Sequence, residues 1–95
     1  MMNKYESVII INPNLEDAKI KELTEKFTKL VDKHGKVENV EDMGKKKLAY
    51  PVQKQTEAFY VVFHFEAEPA FIAELERVYR ITDEVLKFIV VRKED

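Results

Sequence analysis

One segment of the chain alternates so regularly between two sets of side chains that it predicts an extended strand. The segment covers residues 58–65. In a β-strand, residues two apart share a face of the sheet. One face receives the apolar series Phe59, Val61, Phe63 and Phe65, and the other receives Tyr60, Val62 and His64. The phenylalanine-rich face predicts deep burial, which suits a strand at the centre of a sheet.

Three further strands are predicted around it. Residues 5–11 are β-branched and apolar on both faces, which again suits a central strand. Residues 36–41 and 48–52 form two parts of one strand that bends at Gly44, because glycine permits backbone angles that other residues resist. Residues 85–92 form the last strand.

Two segments have the spacing of amphipathic helices. The first starts at Asn14, which is a plausible N-cap, and ends at Gly35. Its apolar stripe consists of Ile20, Leu23, Phe27, Leu30 and Val31. The second starts at Pro69, a residue favoured in the first turn, and ends at Thr82 and Asp83.

The resulting order is strand, helix, strand, strand, helix, strand. This order predicts an α+β, ferredoxin-like split βαβ sandwich, in which a four-stranded antiparallel sheet has both helices on one face. Strands one and three then form the centre, and strands two and four form the edges. Pro51 lies in strand two and has no N–H to donate, which agrees with an edge position. A chain of 95 residues is expected to form a single domain over residues 1–95.

The stretch 41–54 contains the most distinctive charge pattern. Lys45, Lys46 and Lys47 follow Gly44, and an apolar alternation then leads to Pro51. Three adjacent ammonium groups are candidates for phosphate contacts. The alternative is that lysines on an edge strand only discourage edge-to-edge pairing. Residues 55–57 are expected to turn the chain into strand three.

The two faces of the sheet are predicted to have different environments. The face towards the helices is expected to carry Ser7, Ile9, Ile11, Phe59, Val61, Phe63, Phe88 and Val90. The opposite face carries Val8, Ile10, Tyr60, Val62, His64, Ile89 and Val91. Apolar residues of adjacent strands form one patch on this second face, and such patches usually mark a binding site. Scattered surface valines that need no partner are the alternative.

Composition and side-chain chemistry exclude several classes of function. The net charge is −2, so the chain does not coat nucleic acid by charge alone, and any such contact needs a local patch or a basic partner. There is no cysteine, no apolar run long enough to span a bilayer and no signal-peptide pattern, so a soluble cytoplasmic protein is expected. His34 and His64 lie on different elements, and neither a metal-ligand spacing nor a phosphate-binding loop occurs. We therefore expect no catalytic residue, metal, cofactor or small-molecule substrate.

The RNA-recognition motif shares the predicted topology, but its characteristic sequence is missing. That family begins its third-strand motif with a basic residue and a glycine. Here Thr56 and Glu57 precede the strand, and strand one has no aromatic residue on the open face. The sequence therefore disfavours this family.

The chain closely resembles the bacterial small ribosomal subunit protein six family. Tyr5-Glu6 opens the first strand, and Asn12-Pro13-Asn14-Leu15 follows it. The most specific match is Gly44-Lys45-Lys46-Lys47-Leu48-Ala49-Tyr50-Pro51-Val52-Gln53-Lys54. Arg80-Ile81-Thr82-Asp83 and Val90-Val91-Arg92 complete a resemblance that spans nearly the whole chain.

This resemblance implies a ribosomal protein that binds the central domain of small-subunit ribosomal RNA together with protein eighteen of the same subunit. The residues expected to contact RNA are Lys45, Lys46, Lys47, Tyr50, Arg80 and Arg92. The open sheet face or an adjoining edge is expected to dock the partner protein, and the candidate residues are Val8, Ile10, Tyr60, Val62 and Ile89. A self-associating ferredoxin-like module that binds a ligand or partner through its open sheet face is the alternative.

Overall fold

The computed structural model of the protein describes residues 2–93. The elements are β1 (Asn3–Ile11), α1 (Asp17–His34), β2 (Gly35–Val52), β3 (Gln55–Ala67), α2 (Pro69–Ile81) and β4 (Val85–Arg92). The strands form one antiparallel sheet in the order β2-β3-β1-β4. The ferredoxin-like fold is therefore confirmed, with β1 and β3 at the centre and β2 and β4 at the edges.

Both helices pack on the same face of the sheet, and the core lies between the two layers. Phe27 of α1 meets the ring of Phe63 edge-on, with ring centroids 6.5 Å apart. It meets Tyr79 of α2 in the same way at 4.9 Å. Edge-to-face pairs of this kind stabilise a core beyond the burial of their area. Every residue predicted for the helix-side face is buried in this core or packed against it.

One polar pair crosses the core. The hydroxyls of Ser7 and Tyr79 are 2.8 Å apart, and both residues are fully buried. Burial raises the pKa of the Tyr79 phenol, and the hydrogen bond to Ser7 opposes that rise. A buried hydroxyl without a partner costs free energy, so this pair explains why a serine is tolerated at the centre of the sheet.

The junction between α1 and β2 depends on a close approach of two backbones. Gly35 follows the last helical residue and pairs with Ala67 of β3. A Cβ atom at Gly35 would lie 2.0 Å from the carbonyl oxygen of Glu66. The φ angle of Gly35 is −172°, which is extended backbone that any residue adopts. Glycine is therefore required here by space and not by backbone conformation.

The predicted N-cap of the first helix is wrong by two residues. The first helical hydrogen bonds go to the carbonyl of Glu16, which accepts from the N–H groups of Lys19 and Ile20. Glu16 is the N-cap residue, and its side chain caps nothing. Asn14 instead lies in a turn, where its N–H donates to the side-chain oxygen of Asn12 at 2.9 Å. Asn12 thus closes the turn before the helix begins.

The predicted turn at residues 55–57 is also wrong. The chain reverses at Gln53 and Lys54, whose φ angles are 47° and 67°, and β3 begins at Gln55. Two adjacent residues with positive φ are typical of the tight turn that joins two hairpin strands. Such turns usually contain Asn-Gly or Asp-Gly, so Gln-Lys gives no signal in the sequence.

Candidate nucleic-acid and partner interface

Three adjacent lysines occupy the outer edge of the sheet. We call Lys45, Lys46 and Lys47 the cationic edge; all three side chains are exposed on β2. Gly44 precedes them with a φ angle of 73°, and the strand register shifts between Asp42 and Gly44. The predicted bend is therefore confirmed, because the left-handed region favours glycine and marks a bulge.

The side chains around this bend hold it in place. The carboxylate of Asp42 accepts a hydrogen bond from the N–H of Gly44 at 2.9 Å. The ammonium group of Lys45 lies 5.4 Å from the ring centroid of Phe59, which shields the apolar stem of the lysine and leaves its charge at the surface. The bulge thus presents three cations along one edge, an arrangement suited to phosphate groups.

After the cationic edge, β2 leaves its partner strand and crosses the open face, which is the sheet face opposite the helices. Lys47 pairs with Glu57, and the next pair joins Val52 to Gln55. Residues 48–51 therefore lie opposite Thr56 alone. We call residues 48–52 the strap.

Two hydrogen bonds attach the strap and its turn to the far edge of the sheet. Lys87 donates from its ammonium group to the hydroxyl of Tyr50 at 3.0 Å, and its nitrogen lies 5.5 Å from the ring centroid of that tyrosine. The side-chain amide of Gln53 donates to the carbonyl oxygen of Leu86 at 3.1 Å. The strap thus spans from the β2 edge to the β4 edge, although β3 and β1 lie between them in the sheet.

An apolar cavity of about 250 Å³ lies between the strap and the sheet. The sheet side of this cavity, which we call the floor, consists of Val8, Ile10, Tyr60 and Ile89. The strap side consists of Leu48, Ala49, Tyr50 and Val52, with Lys87 at the rim. Ile89 remains 50% exposed, so the apolar surface continues beyond the strap.

A polar cluster marks the other end of the open face. His64 Nε2 lies 2.8 Å from a carboxylate oxygen of Glu41, and Nδ1 lies 3.4 Å from one of Glu6. The ammonium group of Lys93 also contacts Nδ1. Two carboxylates and one ammonium group therefore surround the imidazole ring. The cluster borders the apolar surface with charged groups of both signs.

The structure brings the predicted partner-binding residues together on one face. Val8, Ile10, Tyr60 and Ile89 form the floor, and Val62 lies beside Val8 in the register of β1 and β3. The sequence did not predict that the chain covers part of this face with its own strap. The alternation of Leu48, Tyr50 and Val52 was the available signal, because three apolar side chains on one side of an edge strand need a surface to cover.

The predicted RNA-binding residues form more than one group. Tyr50 follows the cationic edge in the strap and is 61% exposed. Arg80 lies in the last turn of α2, with its guanidinium 5.7 Å from the ring centroid of Phe88. Arg92 pairs with Tyr5, whereas Lys45 pairs with Phe59, whose partner on β1 is Ile11. Six residues of strand, or about 20 Å, therefore separate Arg92 from the cationic edge along the sheet direction.

The described part of the chain contains no group of acidic, histidine or cysteine side chains that could hold a metal ion. Over residues 2–93, no helix is both long and apolar enough to cross a membrane. The site consists of a cationic edge, a strap and an open apolar face. The fold that carries these features is of the ferredoxin-like class.

Comparison with known proteins identifies the family. The profile described as Ribosomal protein S6 matches residues 4–92. The chain belongs to this family of small-subunit ribosomal proteins, and the predicted resemblance is confirmed. The relatives are ribosomal proteins and not enzymes, which agrees with the absence of a predicted catalytic residue.

Two relatives match over nearly their whole length. The small ribosomal subunit protein bS6 of Caldanaerobacter subterraneus subsp. tengcongensis is 43% identical over 95 residues, which cover 99% of this chain and 100% of the relative. The bS6 protein of Clostridium novyi is 46% identical, with 98% and 99% covered. The crystal structure of the 30S ribosomal protein S6 from Thermotoga maritima superposes with a TM-score of 0.93 at 34% identity, with 98% and 89% covered.

Proposed function

We propose that the protein binds the central domain of small-subunit ribosomal RNA jointly with ribosomal protein eighteen of the same subunit. The observation that carries the proposal is the presence of two different contact surfaces on one sheet. The cationic edge offers exposed ammonium groups, and the open face offers apolar surface around Ile89. Phosphates suit the first surface and a protein suits the second.

The net charge supports joint recognition. At −2, the whole chain has no excess of cations that would hold it on RNA, so its three clustered lysines act locally. In this proposal a basic partner supplies most of the phosphate neutralisation. Lys45, Lys46, Lys47 and Tyr50 form the main RNA contact, and Arg80 and Arg92 contribute separate contacts elsewhere on the surface.

A gel-shift titration tests the proposal. A central-domain fragment of small-subunit ribosomal RNA is titrated with this protein alone, with protein eighteen alone and with both, at two salt concentrations. An unrelated RNA of equal length serves as the control. We expect tight binding only with both proteins, and weaker binding at higher salt. Absence of binding in every combination, together with a homodimer in solution, would reject the proposal in favour of the self-associating module.

The partner surface is tested separately from the RNA surface by placing a charge on the open face. Ile89→Lys is expected to weaken binding of protein eighteen by at least about tenfold, because a charge desolvated in an apolar contact is costly. The free energy of unfolding is expected to change by less than about 1 kcal/mol, since Ile89 is half exposed. Calorimetric titration of the two proteins without RNA measures the affinity.

The matched control is Ile81→Lys. Ile81 is also an exposed isoleucine, but it lies at the end of α2 and away from the open face. Both variants add the same charge, so their net effect on solubility and long-range electrostatics is alike. Equal losses of affinity in the two variants would show that the open face is not the docking surface.

A further inference from the structure

The strap is attached to the sheet more weakly than its neighbours on the same strand. Regular pairing of β2 with β3 runs up to Lys47 and resumes only at Val52. The four residues between them face a single residue of β3, so they lack a matching row of backbone partners there. Pro51 removes one more donor from this segment. A segment with few sheet hydrogen bonds opens at lower free energy than the strands beside it.

Two exposed hydrogen bonds hold the strap against β4. We call the contacts of Lys87 with Tyr50 and of Gln53 with the Leu86 carbonyl the latch. Both contacts are open to water, so each contributes little net stability. The latch therefore positions the strap without locking it.

The strap covers apolar side chains that no helix protects. Ala58 has no exposed surface, and Ile10 is only 9% exposed. Both alternate with core-facing neighbours along their strands, so they lie on the open face. Ile10 lines the cavity beneath the strap, whereas Ala58 pairs with Lys46, just before the strap begins. Lifting the strap would therefore expose Ile10.

We propose that the strap is a movable lid over the floor of the open face, held shut by the latch. When the lid is closed, the exposed apolar surface is the part around Ile89. When the lid opens, this surface extends to the buried residues beneath the strap. The reason for this movement rests on the function proposed above: the lid admits the partner protein to the floor. A partner that binds only the open form gains affinity when the open population rises.

Cysteine labelling measures the opening without any partner. The chain has no cysteine, so one introduced thiol reports on one position. Val8→Cys and Ile10→Cys place probes in the floor beneath the strap, and two probes guard against the failure of either variant to fold. Val61→Cys places a control probe in the core on the helix side, where it is fully buried. Its labelling reports opening of the whole molecule.

The latch is then broken in each probe background. Lys87→Met removes the donor and keeps a long apolar stem, and Gln53→Asn shortens the side chain by one methylene while tolerating the φ angle of 47°. Together they are expected to accelerate labelling beneath the strap by about tenfold. Val61→Cys is expected to label at an unchanged rate. Lys29→Met, an exposed lysine of α1, is the matched control and is expected to change neither rate.

Each outcome decides the proposal. Unchanged labelling beneath the strap, or equal acceleration at Val61→Cys, overturns the lid. Faster labelling beneath the strap alone, with partner binding tightened by a similar factor, supports both the lid and its role. Faster labelling without any partner binding by the unmodified protein supports the lid and rejects the proposed function. Faster labelling with partner affinity unchanged shows that the lid moves but does not control docking.

Discussion

Replacement of Lys45, Lys46 and Lys47 by alanine is expected to weaken RNA binding by about ten- to a hundredfold in the presence of protein eighteen. The three ammonium groups are adjacent and exposed beside the bulge at Gly44, so all three are accessible to phosphates. With each lost phosphate contact, fewer counterions are released from the RNA when the protein binds. The slope of log affinity against log salt should therefore become less negative by about 2 to 3. Titrations at several salt concentrations measure both quantities.

The matched control for this variant replaces Lys21, Lys29 and Lys33 by alanine. These three lysines are exposed on α1, so their removal changes the net charge equally but leaves the β2 edge intact. The control should lower affinity only slightly through the long-range field. Equal losses of RNA affinity in the two triple variants would show that the cationic edge has no special role in RNA binding.

Sedimentation of the same variant tests the alternative role of these lysines. An edge strand stripped of its charges is prone to pair with another copy. Self-association of the alanine variant with unchanged RNA affinity and salt slope would mean that the lysines protect the edge and do not contact RNA. Loss of RNA affinity by a variant that stays monomeric would establish the RNA contact.

Replacement of Gly35 by alanine is expected to lower the free energy of unfolding by about 3 kcal/mol. The added Cβ would lie 2.0 Å from the Glu66 carbonyl and 3.0 Å from the Ala67 Cα, and both are backbone atoms. The start of β2 must therefore move away from β3. Urea unfolding measures the loss, and the slope of the transition checks that folding remains two-state.

Gly44→Ala is the comparison variant for Gly35→Ala, because it tests the cost of backbone conformation without the cost of steric crowding. A Cβ at Gly44 meets nothing within 4 Å, but its φ angle of 73° is unfavourable for alanine. We expect a loss of about 1 kcal/mol at this position, from backbone conformation alone. If Gly35→Ala costs no more than Gly44→Ala, the close approach of the two strands at Gly35 is not rigid.

Much of the fold is predictable because each element carries a local signal. The alternation around Phe63 defines β3, and the spacing of residues such as Phe27 defines α1. Pro69 marks the start of α2, and β4 has the predicted bounds, Val85–Arg92. Helix and strand periods depend on residues only a few positions apart, so one segment is enough to reveal them.

The errors occur where the local signal is weak or ambiguous. Asn14 is a good N-cap by type, but Asn12 closes a turn around it and delays the helix to Asp17. Gln53 and Lys54 form a turn that normally uses asparagine and glycine. In both places the local sequence is compatible with more than one conformation, and the packing of the neighbouring strands selects one of them.

The candidate site was predictable only in part. The residues of the floor were assigned to one face because strand periodicity alone groups them. Their partial cover by the strap was not predicted, since it depends on the bulge after Lys47 and on a turn whose amide reaches Leu86. The separation of Arg92 from the cationic edge follows from strand register, which a single sequence does not reveal.

The sequence by itself determined the order of the elements, the two faces of each strand and the family. These properties arise from periodicity, glycine and proline positions and a specific segment around Lys45, all of which are local. Only the tertiary structure decided that the strap crosses to β4, that Lys87 meets Tyr50 and that Gly35 lies against Glu66. Such contacts join residues distant in the chain, and they exist only once register, bulges and turns are set together.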